Sequence, residues 1–409
     1  MKNLKFLLVL MLLLSTCQQN ASGQKSIRDF DVRPENSPDL NRINLQMAID
    51  WASSGGKALF VEPSEIPYPI NGGIILKENV SLIGVHGPTP RGTVHQTLKQ
   101  PVGSVFKITD EKNAFITVET GTQIKGIQFW YPNQTLKEPS KIIEYPPTVK
   151  VSTTSRTQGV FLSCLTFYGE YLAFDFNASR DYPCELMVFE HCYGYPLSGE
   201  FIRMNYCYDV PRILHCHVNP AIQRFIGGQI HRDVVDEVIR NKTYAYTINN
   251  TDNAQLIDLF TFGTYGGILL DAESYGQLTN FNFDCVAVGI LKRGSNTKNR
   301  NWQIAQGSII ANTGEQVENI HPIIIEGQGH TSLSNVEAFS GGNGALSTIP
   351  MSCDYLLVRG DKKLTVSIWG ARMRNYISDS PITVENDNAV IQIVGCFDKD
   401  EKIYNEIIK

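Results

Sequence analysis

Hydrophobic and polar residues follow two different periods in this chain, a helical period near the beginning and a strand-like period after it. Apolar residues recur at spacings of three and four over positions 40–51, which predicts one amphipathic helix. Asp39 is its predicted N-cap, and Gly55 and Gly56 are its predicted stop signals. The only later helical pattern runs from Arg232 to Arg240. The residues that define the first helix are Leu40, Ile43, Met47, Ala48 and Trp51.

Most of the remaining chain is a loose repeat of short segments in which apolar and polar residues alternate. Neighbouring copies are often roughly 21 to 29 residues apart, a period typical of solenoids. A sandwich has shorter strand spacings, and a βαβ fold needs helices between its strands. The pattern therefore predicts an all-β fold, a right-handed parallel β-helix (solenoid) with an N-terminal capping helix. The segments are 81–85, 124–130, 161–167, 185–191, 213–218, 256–262, 278–286, 308–311, 333–339, 366–373 and 390–394.

Residues 1–23 have the features of a signal peptide. Lys2 and Lys5 precede an unbroken apolar run over positions 6–14, which is too short to span a bilayer. The small residues before Gln24 favour cleavage there, which leaves 24–409 as a single β-helix domain. Acylation at Cys17, as in a lipoprotein, is the alternative. Both interpretations predict an exported protein, periplasmic or secreted, and no later segment is predicted to span a membrane.

Eight cysteines follow the predicted signal peptide. They show no Cys-x-x-Cys repeat or dense spacing, and several occupy alternate apolar positions within strand-like runs. We therefore expect small buried side chains rather than disulfides or a zinc site. The eight are Cys164, Cys184, Cys192, Cys207, Cys216, Cys285, Cys353 and Cys396.

Composition and charge exclude several classes of function. With 42% hydrophobic and 19% charged residues among 409, the chain is not disordered. Its formal charge of −5 argues against a nucleic-acid partner, which requires a basic surface. An anionic ligand therefore needs a local basic patch. The chain also contains no nucleotide-binding or phosphate-loop motif.

Positions 27–84 carry a more specific pattern. The runs Ile-Arg-Asp-Phe at 27–30, Ala-Ile-Asp-Trp-Ala at 48–52, Gly-Gly at 55–56, Leu-Phe-Val-Glu-Pro at 59–63 and Asn-Val-Ser-Leu-Ile-Gly at 79–84 follow one another. This order resembles the N-terminal signature of pectate-lyase-like β-helix proteins. The resemblance implies a carbohydrate-active parallel β-helix. That superfamily includes lyases, hydrolases, epimerases and phage tail-spikes, so the fold does not decide the activity.

The densest group of polar residues lies in the middle of the repeat. Four arginines and three histidines occur from Arg203 to Arg232, against one acid, Asp209. If Cys216 and Val218 point inward, His217 and Asn219 point outward, and stacking brings His191 near a later histidine. Positions 221–241 are too long for a tight turn, which predicts a lid over this face.

These residue types suit β-elimination at a uronic acid. The reaction removes the proton α to a carboxylate and expels the β-oxygen, so it needs a base and cations that stabilise the developing charge. We expect His217 or Tyr208 to exchange the proton with assistance from His215. We expect the uronate to be bound by Arg203, Arg212, Arg232 and Asn219. The predicted partner is an anionic poly- or oligosaccharide, acted on by a polysaccharide lyase or an oligosaccharide dehydratase, and no cofactor or metal is predicted.

Two alternatives remain open. Glycoside hydrolysis requires a pair of carboxylates, for which Asp252, Asp271 and Asp284 are candidates in successive repeats. A non-catalytic carbohydrate-binding β-helix predicts an aromatic stripe without a convergent cluster of His, Arg and Tyr.

Overall fold

The computed structural model describes residues 23–86, 99–225, 230–295, 300–311, 320–340, 354–374, 376 and 378–409. These residues form a parallel β-helix, in which each strand pairs with the equivalent strand of the next rung. The predicted all-β, right-handed parallel β-helix is therefore confirmed. The predicted signal peptide, with Cys17, lies outside the described residues apart from Gly23.

The largest sheet has 21 strands among the described residues; we call it the main sheet. All pairings are parallel except the last, between its final two strands. All the segments predicted from the repeat contribute strands to this sheet. The strands are Gln24–Ser26, Ala58–Phe60, Tyr68–Pro69, Ser81–Ile83, Val105–Lys107, Gln123–Lys125, Gln128–Trp130, Phe161–Ser163, Thr166–Tyr168, Val188–Glu190, Tyr193–Gly194, Arg212–Leu214, His217–Val218, Ala254–Ile257, Phe260–Phe262, Gly276–Val286, Asn301–Ala311, Gly329–Ser340, Leu364–Trp369, Ala389–Phe397 and Ile403–Ile408.

Two further sheets complete the rungs. One has eleven parallel strands and the other three; we call them the second sheet and the third sheet. The second sheet consists of Ile74–Leu76, Ile116–Val118, Val149–Val151, Phe174–Asn177, Ile202–Asn205, Tyr244–Asn249, Gly266–Asp271, Val288–Lys292, His321–Ile325, Leu356–Val358 and Ile382–Val384. The third sheet consists of Thr157–Gln158, Cys184–Glu185 and Cys207–Tyr208.

In the main sheet, each middle rung consists of two short runs of strand, and the chain bends at one residue between them. This residue has a left-handed backbone, with φ between 51° and 57°, a conformation that Asn and Asp adopt more readily than most residues. Strands on both sides of the bend pair in register, as Glu190 does with Leu214 and Tyr193 with His217. The bend residues therefore stack in one column, which we call the corner column. Its central members are Cys164, His191, His215, Asp258 and Asn280.

The first predicted helix is present as Pro38–Ser53, but its N-cap and its buried face differ from the prediction. Ser37, not Asp39, is the N-cap, because its side chain accepts a hydrogen bond from the Leu40 N–H and Pro38 follows as the first helical residue. The buried face includes Asn41 and Asn44, whereas the predicted stripe residues Leu40, Ile43 and Met47 are exposed.

Hydrogen bonds explain why asparagines replace aliphatic residues on this face. The Asn41 side-chain amide donates to the carbonyls of Arg33 and Pro69 at 2.7 and 2.9 Å, and that of Asn44 donates to the Asp31 carbonyl at 2.8 Å. These hydrogen bonds replace those that the amides make with water in the unfolded chain, so burial of the two side chains does not destabilise the fold. Gly56, with a φ of 58°, follows the helix, in agreement with the predicted stop.

The second helix, Arg232–Arg240, has the predicted bounds. It belongs to the long connection between His217–Val218 and Tyr244–Asn249. The same connection begins with a short 3-10 helix, Pro220–Phe225, which we call the cover segment. Ile222 of this segment is fully buried against Val105, Trp130 and Tyr168 on the outer face of the main sheet. The start of the predicted lid therefore covers this face; residues 226–229 lie outside the described part. Other 3-10 turns are Ile27–Phe30 and Pro139–Lys141.

Candidate functional site

Four side chains of the middle rungs form a continuous chain of contacts along the corner column. The rings of His191 and His215 stack with centroids 4.8 Å apart and planes 15° apart. His215 Nδ1 lies 2.9 Å from Asp258 Oδ2, and the Tyr193 hydroxyl lies 3.3 Å from His191 Nδ1. We call this set, Tyr193, His191, His215 and Asp258, the histidine chain. Every member is able to donate or accept a proton.

The local backbone explains the order of this chain. One residue per rung occupies the bend, and rungs are about 4.8 Å apart, which matches the separation of the two imidazole rings. The side chains of His215 and Asp258 are 40% and 53% exposed, so the chain lies at the surface where a ligand can reach it. With Asp258 accepting from Nδ1–H, the Nε2 atom of His215 is directed elsewhere and remains able to exchange a proton.

His217 lies on the strand that follows the bend, beside the histidine chain. As predicted, Cys216 and Val218 are buried in the core while His217 is partly exposed. Its ring stacks on Phe260 of the next rung with centroids 4.2 Å apart. Asn219 lies on the same side but is buried; its Nδ2 atom is 3.4 Å from His217 Nε2, and its Oδ1 atom accepts from the Ala221 N–H at 2.8 Å. Asn219 thus links His217 to the cover segment.

The three predicted arginines do not converge on the histidines. Arg203 lies on the second sheet and binds Glu200 with Nε–Oε2 and Nη2–Oε2 distances of 2.9 and 2.5 Å, with Asp175 at 3.8 Å. Arg232 lies on the second helix and binds Asp236 at 2.7 Å. The formal positive charge of both is therefore largely balanced by neighbouring carboxylates.

Arg212 differs from the other two arginines. It lies on the main sheet in the strand Arg212–Leu214, which ends immediately before His215. Its Nη1 atom donates to the Val210 carbonyl at 3.1 Å, and the side chain is partly exposed. Of the three predicted uronate-binding arginines, Arg212 is the one that the fold places on the same strand run as the histidine chain.

Tyr208 lies on the third sheet, opposite Glu185 of the preceding rung. Burial raises its pKa, and the neighbouring Tyr206, Asp252 and Glu273 raise it further against a lowering effect of Arg180. The residues around Tyr208 are thus different from those around His215 and His217. The structure places the predicted tyrosine in a separate polar group on another wall of the solenoid.

The three aspartates of the hydrolase alternative also lie apart. Asp252 accepts a short hydrogen bond from the Tyr275 hydroxyl near the third sheet. Asp271 ends a strand of the second sheet and is bound by Arg293; burial alone would raise its pKa, but the Arg293 hydrogen bond and charge and the Ala272 N–H lower it. Asp284 lies on the main sheet opposite Phe262, and burial raises its pKa. No two of them share a sheet.

Arg203 instead marks a second group of carboxylates. Glu200 and Asp175 both approach its guanidinium, and burial raises the pKa of Asp175, an effect that the Arg203 charge only partly offsets. This group lies on the outer side of the second sheet, because Ile202 and Met204 on either side of Arg203 are fully buried.

Glu170 is a buried acid under the cover segment. Its side chain is fully buried, and neither oxygen has a hydrogen-bond partner of good geometry among the described residues. Burial raises its pKa to about 8, although the Glu170 and Tyr195 N–H groups and the Gln223 amide lower it in part. The carboxyl packs against Gly194, where a Cβ atom would overlap with it.

Sequence reasoning missed Tyr193, Asp258 as the partner of His215, and Glu170. The spacing from His191 to His215 follows the repeat, and that signal predicted their proximity. His215 and Asp258 are 43 positions apart, because the long connection with the second helix is inserted between their rungs. The spacing between these two rungs is therefore longer than the repeat, and the repeat could not predict that Asp258 lies next to His215.

Within the described ranges, no group of three His, Cys, Asp or Glu side chains is arranged to hold a metal ion. In the same part of the chain, no helix is both long and apolar enough to cross a membrane.

No known protein-family profile matches the chain, and no curated protein is significantly similar to it in sequence. Solved structures do match. DFA-IIIase from Arthrobacter chlorophenolicus A6 in complex with GF2 is 9% identical with a TM-score of 0.54, over 94% of this chain and 96% of that one. The same enzyme without its lid gives a TM-score of 0.55 at 9% identity, over 94% and 97%.

The A-module of the mannuronan C-5 epimerase AlgE6 from Azotobacter vinelandii is 11% identical with a TM-score of 0.45, over 91% and 98%. At such identities the likeness shows the fold alone.

Proposed function

We propose that this protein is a carbohydrate-active carbon–oxygen lyase, which acts by β-elimination on uronic-acid-containing poly- or oligosaccharides. The observation that supports the proposal is the histidine chain, with His217 beside it on the outer face of the main sheet. β-Elimination at a uronate requires proton removal next to a carboxylate and stabilisation of the negative charge that develops. The resemblance to pectate-lyase-like proteins over positions 27–84 supports a carbohydrate substrate.

In this proposal, His217 removes the α proton. Its ring is held flat against Phe260 and its edge is held by Asn219, so the imidazole has a fixed orientation. His215 assists, because Asp258 accepts from its Nδ1–H and thereby leaves Nε2 as the ring atom that can exchange a proton. His191 and Tyr193 extend the group that can return a proton to the leaving oxygen.

Arg212 binds the uronate carboxylate, since its side chain is partly exposed and its Nη1 atom donates to the Val210 carbonyl rather than to a carboxylate. Arg203 and Arg232 support the fold through their ion pairs. Asn219 positions His217 and connects it to the cover segment. Tyr208, on the third sheet, is not required for the elimination step. Tyr193 takes over the role in proton exchange that the sequence predicted for Tyr208.

The leaving group decides between two products. Expulsion of a sugar cleaves the chain, as in a polysaccharide lyase, whereas expulsion of water from a terminal uronate leaves the chain intact, as in an oligosaccharide dehydratase. Both create a double bond conjugated with the carboxylate. We further propose that the protein is exported, with residues 1–23 as its signal peptide and 24–409 as its single domain.

The test is to incubate the purified protein with oligosaccharides that contain uronic acids and to follow the ultraviolet absorbance of an unsaturated uronate. We expect this band to appear, and mass spectrometry to show either cleavage or loss of one water without cleavage. New reducing ends without the band would reject elimination. They would instead favour glycoside hydrolysis, for which Asp175 and Glu200, which both approach Arg203, are one candidate pair of carboxylates.

A further inference from the structure

Four of the buried cysteines stand in two pairs on adjacent rungs. Cys184 and Cys207 are directly opposite each other in the third sheet. Cys192 and Cys216 also occupy equivalent positions on their rungs. The residues two before them, Glu190 and Leu214, are paired, and so are the residues that follow them, Tyr193 and His217. All four thiols belong to the core and are at most 1% exposed.

The geometry of neighbouring parallel strands permits a bond between such thiols. Strands in a sheet are about 4.8 Å apart, and disulfides join residues whose Cα atoms are about 4.4 to 6.8 Å apart. In each pair the two side chains point to the same side; burial raises the pKa of Cys192 and of Cys207, and the neighbouring thiols of Cys216 and Cys184 raise these two pKa values further. The rung before Cys184 carries Thr157 at this position, so that column offers one pairing only.

The spacing of the cysteines along the chain predicted buried side chains rather than disulfides, and these four cysteines are free thiols in the structure. From their register across the rungs we propose instead that Cys184 with Cys207 and Cys192 with Cys216 are disulfide-forming pairs, which link successive rungs when the chain folds in an oxidising environment. The second bond lies directly beside the His191–His215 stack and fixes the spacing of the two rungs that carry it. The inference does not depend on the reaction that the protein catalyses.

The chemistry is thiol–disulfide exchange with a disulfide-bearing oxidant such as glutathione disulfide. The thiolate of one cysteine attacks the oxidant, forms a mixed disulfide and releases one glutathione thiolate. The second cysteine then attacks the first sulfur and releases the other glutathione. Two protons leave the protein thiols and the oxidant gains two electrons. Because the folded thiols are buried, both steps must take place before the rungs close.

The test uses the full chain, unfolded with reductant and then refolded in a buffer of reduced and oxidised glutathione. Thiols are blocked with iodoacetamide after an acid quench, and peptides are analysed by mass spectrometry without reduction. We expect linked peptides for 184 with 207 and for 192 with 216, and an alkylated Cys396, whose thiol contacts the carbonyls of Ile368 and Val394. Alkylation of all four paired cysteines, or any other pairing among them, would overturn the proposal.

Two further measurements sharpen the result. Protein that has already folded in reductant should resist oxidation by glutathione disulfide, and rapid oxidation of this folded form would contradict bond formation before rung closure. The double variant Cys192→Ala with Cys216→Ala should keep the 184–207 peptide and lose part of the several-degree difference in Tm between oxidised and reduced protein. Cys396→Ala, the control, should keep both linked peptides and the full difference in Tm; an equal loss in the control would overturn the assignment.

Discussion

His215 Nδ1 and Asp258 Oδ2 are 2.9 Å apart, although 43 positions separate the two residues in the chain. Both side chains are largely exposed, so the pair contributes little to folding, about 0 to 1 kcal/mol as is usual for surface ion pairs. The contact therefore fixes the orientation of an imidazole at little gain in stability, which is what the proposed role in proton transfer requires.

Substitution Asp258→Asn separates a role in proton transfer from a role in stability. An amide keeps the shape of the side chain, but it can donate a hydrogen bond to His215 Nδ1 and so favour the tautomer that carries its proton on Nε2. We expect kcat on a uronate oligosaccharide to fall by about 10²-fold or more, with a change in Tm of only one or two degrees. Asp361→Asn, at an exposed aspartate near Lys362, is the control and should leave both unchanged. An equal loss of Tm and activity in Asp258→Asn would indicate a structural role.

His217→Ala tests the proposed base. Loss of the imidazole should reduce kcat by about 10²- to 10⁴-fold, while Arg212, the proposed ligand of the uronate carboxylate, remains, so KM should change little. The measurement is the initial rate of ultraviolet absorbance over a range of substrate concentrations. His330→Ala removes a histidine that contacts Thr365 in a distant rung and should retain wild-type kinetics. Full activity of His217→Ala would remove His217 from the mechanism even if the product is an unsaturated uronate.

The arginines are expected to separate into one that binds substrate and one that supports the fold. Arg212→Ala should raise KM by about 10-fold or more for a uronate substrate, because a bidentate guanidinium–carboxylate contact is lost, while Tm stays close to wild type. Arg212→Lys should restore part of the loss. If Arg212→Ala left KM unchanged, the carboxylate would have to be bound elsewhere.

Arg203→Ala should behave in the opposite way. It leaves the Glu200 side chain, which is 9% exposed, without its guanidinium partner. A buried acceptor that loses its partner costs about 1 to 3 kcal/mol, and the partial exposure of Arg203 favours the lower part of that range. Chemical unfolding measures this cost. Elimination kinetics should stay near wild type, and a selective loss of activity without loss of stability would point to the second sheet as the reaction site.

Glu170 predicts a distinct dependence of stability on pH. Its pKa is raised by burial from a usual value near 4.5 to about 8 in the folded protein, so the folded state holds a proton that the unfolded state has already lost. The proton on Glu170 therefore adds to the free energy of unfolding. This stabilisation is fully present below about pH 4.5 and is lost as the pH rises towards 8, with a slope of about 1.4 kcal/mol per pH unit.

Glu170→Gln should remove this slope, because the amide is neutral at every pH. The difference in unfolding free energy between variant and wild type should therefore grow in favour of the variant from pH 5 to pH 8. Glu138→Gln, at an exposed glutamate paired with Lys141, serves as the control. Parallel pH profiles for wild type and Glu170→Gln would show that the Glu170 carboxyl does not keep its proton in the folded state.

The main sheet could be predicted from the sequence because its strands alternate buried and exposed residues on both sides of a repeated bend. One strand of the second sheet could not be predicted in the same way. The strand Tyr244–Asn249 is buried at five consecutive positions. A strand that is buried on both faces shows no alternation, and its apolar run is not distinguishable from a helix segment of equal length.

The candidate site was predicted only in part, for a related reason. His191 and His215 are one repeat apart, so their proximity followed from spacing alone. Arg203, Tyr208 and Arg212 are close in sequence, yet each rung turns through three walls, and these residues belong to the second, third and main sheets. A cluster of charge along the chain is therefore divided among separate surfaces when the chain coils.

The long connection after Val218 has a consequence for how this scaffold can change. It adds a cover segment and a helix, yet His217 still pairs with Phe260 and Arg212 with Gln255 in unbroken register. The strands on both sides are aligned as if the insertion were absent. New segments at this junction can therefore alter what reaches the outer face without shifting the register of the strands, provided that they replace the apolar side chains, such as Val234 and Val238, with which the present connection packs on the core. The junction is thus the natural position at which to graft or exchange loops when a new ligand preference is sought.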